Sequence, residues 1–494
     1  MVIEVTSRTE RVDMKRRDFL KAAGFGAASL AMPGRRGRAE RIEAETVTEK
    51  KPNFVFIIID DLGWRDVGYM GRASALGEPR SYYETPNIDK LASQGVVFTS
   101  AYSNAPNCAP TRACLMSGQY TPRHGVYTVG TSERGQAKLR KLIPTANKTT
   151  LDSKAVTIAE ALKQGGYTSA CIGKWHLGTK EPFRPEDRGF DVVFQRRGRG
   201  HFTAEGEYLT DRLTDEAIKF IEANKSRPFF LYLAHHAVHT PIQAKQELID
   251  KYKKKKPSGG HNNPVYAAMI ESMDQSVGRV IDKLDEAGLR ENTVVFFFSD
   301  NGGYGNATSM EPLRGSKGML YDGGIRVPLT IRWPGAARGN SVCDVPVIGV
   351  DFYPTILEIA DMPQPAGHVL DGVSIVPLLR GKGSLQREAI FWHFPVYLEP
   401  YNEKQRPWRT TPAGAVRQQD FKLIEFFEDG RLELYNLKDD IGEKNNLAAK
   451  MPDKVKELHK LLVDWRKSVG APVPTERNPK YDPTAKPAKK KKRK

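Results

Sequence analysis

Lys51-Pro-Asn-Phe-Val-Phe-Ile-Ile-Ile59 runs directly into Asp60-Asp61-Leu62-Gly63, and this junction decides how the rest of the chain is read. The run is short, continuous and rich in β-branched residues, the pattern of a strand covered on both faces in a parallel sheet. Two adjacent carboxylates at its end are costly to bury unless a cation neutralises them. A second apolar run, Asn292 to Phe298, leads in the same manner into Asp300-Asn301-Gly302-Gly303. In open α/β sheets ligands gather beyond the carboxyl ends of the strands, so three carboxylates and one amide oxygen are expected to converge. All-oxygen donors suit a hard cation such as Ca²⁺ or Mg²⁺, whereas zinc would favour His and Cys. Either pair alone would read equally well as Asp capping a turn; two pairs, both at strand ends, point to a cation site.

Four further blocks carry polar chemistry. Asn107-Cys-Ala-Pro-Thr-Arg-Ala-Cys-Leu-Met-Ser-Gly-Gln-Tyr120 reads as a helix over Ala113 to Tyr120, with Pro110 tolerated in a first turn that lacks hydrogen-bond partners. Orphan N–H groups there favour an anion, and Arg112 adds a permanent charge in a planar fork suited to oxyanions. Gly173-Lys-Trp-His-Leu-Gly178 follows the apolar stretch Thr168 to Ile172, and His235-His-Ala-Val-His239-Thr-Pro241 follows Pro228 to Leu233. Leu313-Arg-Gly-Ser-Lys317-Gly-Met-Leu-Tyr-Asp-Gly-Gly324 is a Gly-rich loop just beyond the Asp-Asn pair. Taken singly, a lone Cys is a small buried thiol, a lone Lys is solvated and a lone His is structural. That plain reading is kept for His124, His201 and His261, which fit no block.

Together the blocks resemble the signatures of type I, formylglycine-dependent sulfatases, an arylsulfatase-like group within the alkaline phosphatase superfamily. The resemblance covers roughly Lys51 to Gly470 and includes Glu433 to Leu447. It implies that a sulfatase maturation enzyme reads Cys108, Pro110 and Arg112 and oxidises Cys108 to Cα-formylglycine. It implies one divalent ion, Ca²⁺ with Mg²⁺ as the alternative, held by Asp60, Asp61, Asp300, Asn301 and residue 108. Arg112, Lys174, His239 and Lys317 match the sulfate-binding positions, and Cys108, Arg112, Lys174, His176, His239 and Lys317 form the implied catalytic set. One hydroxyl of the hydrated aldehyde would attack sulfur, assisted by Asp300, while His239 or Lys317 protonates the departing alcohol. The second hydroxyl would expel sulfate with His176 as base, a step that plain Ser or Cys cannot make. Thr111, where Ser or Ala is usual, and Gln119, where Arg is frequent, depart from the family pattern.

The implied reaction is hydrolysis of sulfate esters, of a sulfated carbohydrate in view of the long polar loops at Gly71 to Glu84, Gly130 to Ser153, Arg196 to Tyr208 and Tyr397 to Thr411, and of aryl sulfates as well. Two alternatives stand beside it. One is a phosphomonoesterase or phosphonate monoester hydrolase of the same superfamily, although a two-zinc phosphatase would want Ser or Thr as nucleophile and more His ligands. The other is a noncatalytic sulfated-glycan binder with an unconverted Cys108.

A chain of 494 residues with 39% hydrophobic and 27% charged residues can bury a large globular core. Short apolar strands alternate with helical patterns, such as Val265, Met269, Met273, Val277, Val280, Ile281 and Leu284 on one face. The fold expected is therefore α/β: a large, mostly parallel sheet between helices over 51–380 as the catalytic domain. A small antiparallel sheet with one helix is expected over 381–470, with strands at Ile390 to Phe394, Phe421 to Phe427 and Arg431 to Leu437 and a helix over Val455 to Trp465. A disordered basic tail is expected over 471–494.

Residues 1–40 resemble a twin-arginine export signal: Lys15-Arg-Arg-Asp-Phe-Leu-Lys21 precedes a weakly apolar run, Ala22 to Met32, too short to span a bilayer. Met14 is the expected start, no transmembrane helix is expected, and the destination is periplasmic or extracellular through the twin-arginine machinery. Of the net charge of +17, seven positive residues lie at Lys486 and at 489–494. A nucleic-acid partner is not expected on that basis, and sulfated polymers suit the field better. Lys251 to Lys256 reads as a solvated basic loop. Four cysteines do not make a disulfide framework; a single bridge stays open.

Overall fold

The computed structural model describes residues 50–74, 82–196, 198, 200–401 and 407–487. The expected export signal lies outside them. Eight strands form the main sheet in the order Val192–Phe194, Thr168–Gly173, Phe229–Ala234, Asn53–Ile59, Thr293–Ser299, Leu329–Arg332, Val96–Phe98, Ser341–Cys343. Asn53–Ile59 pairs in parallel with Phe229–Ala234 on one side and Thr293–Ser299 on the other. Only Leu329–Arg332 runs against its neighbours, so the sheet is mixed and mostly parallel, as expected.

The central strands are buried at every position, which explains why they read as unbroken apolar runs rather than alternating ones. Alternation survives in direction. Val55, Ile57 and Ile59 pack with the helices Leu209–Asn224 and Pro264–Glu286 on one face. Phe54, Phe56 and Ile58 pack with Cys108–Ser117, Ile158–Gln164 and Phe352–Ile359 on the other. Each such side chain contributes roughly 1.5–3 kcal/mol by leaving water, so the strand between the two layers is held from both sides. Pro264–Glu286 starts cleanly because Asn263 accepts from the N–H groups of Val265 and Tyr266 and Pro264 has no N–H to satisfy.

A second, antiparallel sheet has the order Ile390–Phe394, Ala413–Gln418, Phe421–Phe426, Leu432–Asn436, and the helix Pro452–Ser468 buries Leu458 and Leu462 against it. Ala413–Gln418 is a strand the sequence pattern did not announce. The indole N–H of Trp392 donates to Ser103 O at 2.8 Å, joining this layer to the main one. Residues expected to begin a disordered tail are partly tied down. Asn478 N donates to Lys141 O at 2.9 Å, and its side-chain amide donates to Ala137 O and Arg140 O. Ile143 N and Asp482 N add hydrogen bonds to Glu476 O and Lys138 O, both at 2.9 Å; 488–494 lie outside the described residues. Among the described residues no helix is long and apolar enough to cross a membrane.

Candidate active site

Four neighbouring parallel strands end side by side, and each delivers a polar group. Lys174 follows Thr168–Gly173, His235 and His236 follow Phe229–Ala234, Asp60 and Asp61 follow Asn53–Ile59, and Asp300 and Asn301 follow Thr293–Ser299. Strands in register about 4.8 Å apart therefore place groups that are up to 240 residues apart in sequence within bonding distance. Asp61 turns sharply, with φ of 67°, a conformation Asp tolerates better than most residues. Its N–H donates to Asp300 Oδ1 at 3.2 Å, and Leu62 N donates to Ser299 Oγ at 3.0 Å.

Cys108 opens the buried helix Cys108–Ser117, which begins five residues earlier than the sequence reading placed it. It also ends earlier: Gly118 takes φ of 65° and its N–H closes on Cys114 O at 2.8 Å, so the helix stops before Tyr120. Thr111 is fully buried, its hydroxyl donating to Ala105 O and accepting from Ala105 N. Gln119 reaches Val369 O near the surface. The side-chain hydrogen bonds of both departures from the family pattern go elsewhere than to Cys108 or Arg112.

The electrostatics are dense. Arg112, wholly buried, donates through Nε to Asp300 Oδ2 at 2.8 Å and through Nη1 to Lys174 O at 2.6 Å. Lys174 Nζ pairs with Asp60. Lys317 Nζ lies 2.6 Å from Asp61 Oδ1, and His239 Nε2 lies 3.7 Å from Asp61 Oδ2. Burial alone would raise Asp60, but Lys174, with His239, Arg112 and Lys317 behind it, holds its carboxyl well below the usual range. Burial and the Asp60 charge instead push Asp300 up to about 7. Lys317 is held above its ordinary value by Asp61 despite the cost of burial. Burial, then Lys174, keeps His176 neutral.

The donor set fits a hard cation. Asp60 Oδ1 and Asn301 Oδ1 are buried without a hydrogen-bond partner, which is costly unless something else occupies them. Ligand atoms of Asp60, Cys108 and Asp300 lie within 4.8 Å of one another, as do those of Asp60, Asp61 and His239. Three carboxylates against Arg112, Lys174 and Lys317 already balance. A divalent ion would therefore leave a positive excess, suited to an anionic ester.

These groups open onto a cavity of about 890 Å³. His236, His201, Arg134, Arg196, Tyr304 and Arg409 also line it, and apart from His236 the sequence reading did not select them. His201 Nε2 meets His239 O at 2.7 Å; nothing in its local sequence marks that contact. His235 faces away, 3.1 Å from Ser276 Oγ. His124 is buried against Cys114 and Val126 N, and His261 against Ser309 O, in line with structural roles. All four cysteines are free.

The sulfatase family model matches residues 52–362. The chain belongs to the sulfatase family. A second model, for the C-terminal region of N-sulphoglucosamine sulphohydrolase, matches residues 315–468 of this sulfatase. A sulfatase of Formosa agariphila is 34% identical to it, over 82% of this chain and 85% of that one. The N-acetylgalactosamine-6-sulfatase of Canis lupus familiaris is 30% identical, over 76% and 71%. Among solved structures, Ps i-CgsB in complex with k-i-k-neocarrahexaose is 27% identical with a TM-score of 0.70, covering 84% of this chain and 93% of that one. The enzyme is thus a sulfuric ester hydrolase.

Proposed function

We propose that this sulfatase hydrolyses sulfate esters of a sulfated carbohydrate, with aryl sulfates as further substrates, using Cα-formylglycine made from Cys108 and one Ca²⁺, or Mg²⁺ in its place. The observation that carries the reading is Cys108 at a helix start, with Asp60 and Asp300 within 4.8 Å and the ammonium groups of Lys174 and Lys317 on the adjoining carboxylates. The carbohydrate is favoured by the wide cavity, whose walls carry His, Lys and Arg side chains, and by the relatives named above.

The proposed ligands are Asp60, Asp61, Asp300, Asn301 and residue 108; a divalent ion there would supply charge that polarises a sulfate oxygen and favours an ionised oxygen nucleophile. The hydrated aldehyde would supply two hydroxyls, one for attack on sulfur and one for expelling sulfate. The remaining work falls to side chains now in place. Arg112, pinned by Asp300 and Lys174 O, fixes the nucleophile's helix against the strand ends. Lys174 and Lys317 turn their ammonium groups to the sulfate oxygens, where charge redistributes. His239, a third exposed and beside Asp61, protonates the departing alcohol. His176, kept neutral, takes the proton in the second step.

The test is mass spectrometry of the peptide containing residue 108, from protein made with an active maturase, together with sulfate release from a panel of sulfated glycans and 4-nitrophenyl sulfate. The expected peptide carries an aldehyde in place of the thiol. An intact thiol with no sulfate released would reject the mechanism and favour a glycan-binding role. Export through the twin-arginine machinery is proposed on Lys15 to Lys21; residence of the protein in the cytoplasm of a host with that machinery would overturn it.

A further inference from the structure

Beyond the sulfate centre the same cavity holds charge that the proposed reaction does not use. Arg409 stacks its guanidinium over Tyr401, 3.6 Å from the ring centroid. Its Nε and Nη1 are buried and meet no acceptor among the described residues, an uncommon state for groups that would each lose water's hydrogen bonds for nothing. Burial and the nearby Arg134 charge pull Arg409 down to about 10. The carboxylate nearest to Arg134, Glu399, is 3.9 Å away and 45% exposed. It also accepts from Gly135 N, so the two guanidinium groups share Glu399, with a weaker pull from Asp61 on Arg409.

The placement is as telling as the surplus. A Cβ on Gly318 would sit 2.6 Å from Arg409 Nε, so the fork of Arg409 lies directly on the backbone next to Lys317. Gly318 leaves room for that approach. Arg409 lines the cavity with its guanidinium stacked on an aromatic ring and its charge unmatched at Nε and Nη1, and a planar guanidinium of this kind suits a planar or tetrahedral oxyanion.

We propose that Arg409, assisted by Arg134, forms a second anion subsite that binds a sulfate or carboxylate elsewhere on the same glycan, so that the enzyme selects polyanionic saccharides over singly charged ones. This rests on the carbohydrate reading above. The test is kcat/KM for disaccharides that differ only in whether the sugar beside the cleaved ester carries a sulfate, a uronate carboxylate or no charge. The native enzyme should prefer the charged forms, and Arg409→Gln should lower that preference about tenfold to a hundredfold, the worth of a charge-assisted pair. Arg134→Gln should lower it less, and Arg409→Lys should restore part. The contrast between sulfate and carboxylate partners tells which anion is read.

A native preference near one, or a ratio unchanged in both variants, overturns the subsite. If the native enzyme releases no sulfate even from 4-nitrophenyl sulfate, it is the functional reading that fails. Calorimetric titration of the same disaccharides then still decides the subsite, since equal affinities for native and Arg409→Gln protein would reject it. Should Arg409→Gln fail to fold, Arg134→Gln, whose side chain is 30% exposed, carries the comparison.

Discussion

Lys422→Met should cost this enzyme about 4 kcal/mol of stability, although the residue lies far from the strand ends in sequence. Lys422 Nζ sits 2.7 Å from Asp322 Oδ1 and 2.8 Å from Glu443 Oε1, with all three side chains wholly buried. Burial and Asp322 push Glu443 up to about 7, with Lys422 pulling the other way. Without the ammonium, Glu443 keeps a proton at neutral pH, so a single buried carboxylate remains charged, with Arg326 at 3.5 Å. What is lost is two charge-assisted hydrogen bonds at roughly 1.5–3 kcal/mol each, within the 3–5 kcal/mol typical of a broken buried pair. At about 2.1 cal/mol/K per residue over roughly 420 residues, that lowers Tm by about 4–5 °C, measured by calorimetry alongside urea denaturation. Glu443→Gln in the Lys422→Met background should cost less than Glu443→Gln alone, because the charge it served is gone. Turnover should fall too, since Asp322 N donates to Glu443 Oε2 at 2.7 Å and Asp322 belongs to the loop that carries Lys317. A Tm shift under about 1 °C would refute the assignment of net stabilisation to this triad.

Asp300→Ala should abolish binding of the proposed divalent ion, read by elemental analysis, and also destabilise the fold by about 3–5 kcal/mol because Arg112 loses its buried partner; metal content equal to the native protein's would reject Asp300 as a ligand. Lys317→Ala should retain the metal yet lower kcat/KM for 4-nitrophenyl sulfate about a hundredfold or more, and an unaltered value would remove Lys317 from sulfate binding. His124, His235 and His393 are held neutral by burial, down to about 3, 4 and 4, whereas unfolded His titrates near 6.5. The unfolded chain therefore binds more protons below pH 6.5, so stability present above that value is lost as pH falls toward 4, at about 1.4 kcal/mol per pH unit per His. Urea midpoints at pH 7, 6 and 5 should show it, with a shallower decline in His393→Gln; identical slopes would count against it.

The main sheet and its ligand groups were legible because burial on both faces leaves an unbroken apolar run and a carboxylate at its end stands out. Ala413–Gln418 escaped notice because Ala-Gly-Ala-Val-Arg-Gln has one β-branched residue and draws its strand character from pairing on both sides. Lys422, inside an expected strand, and Glu443, inside the stretch Glu433 to Leu447, carry no local sign of their pairing; only tertiary packing makes them a buried pair. Arg409 and Arg134 carry no local signal either: Arg409 is distinguished by N–H groups without an acceptor and Arg134 by its place in the same cavity wall, both properties of three dimensions. The helix at Cys108 was placed late because its start depends on enclosure by distant segments rather than on a capping residue of its own.

That enclosure bears on timing. The Cys108 side chain is 1% exposed, and two of the walls around it, Asp300 and Lys317, lie about two hundred residues further along the chain. A ribosome adding about 5–20 residues per second reaches them some ten to forty seconds after Cys108 is made. Another protein can grip the thiol during that interval; once the later strand docks, the same residue is sealed against macromolecules and open only to what diffuses through the cavity. If Cys108 is converted as proposed, slower synthesis across 110–300 would lengthen the opportunity and faster folding would shorten it, so the yield of converted protein would be a contest between two clocks.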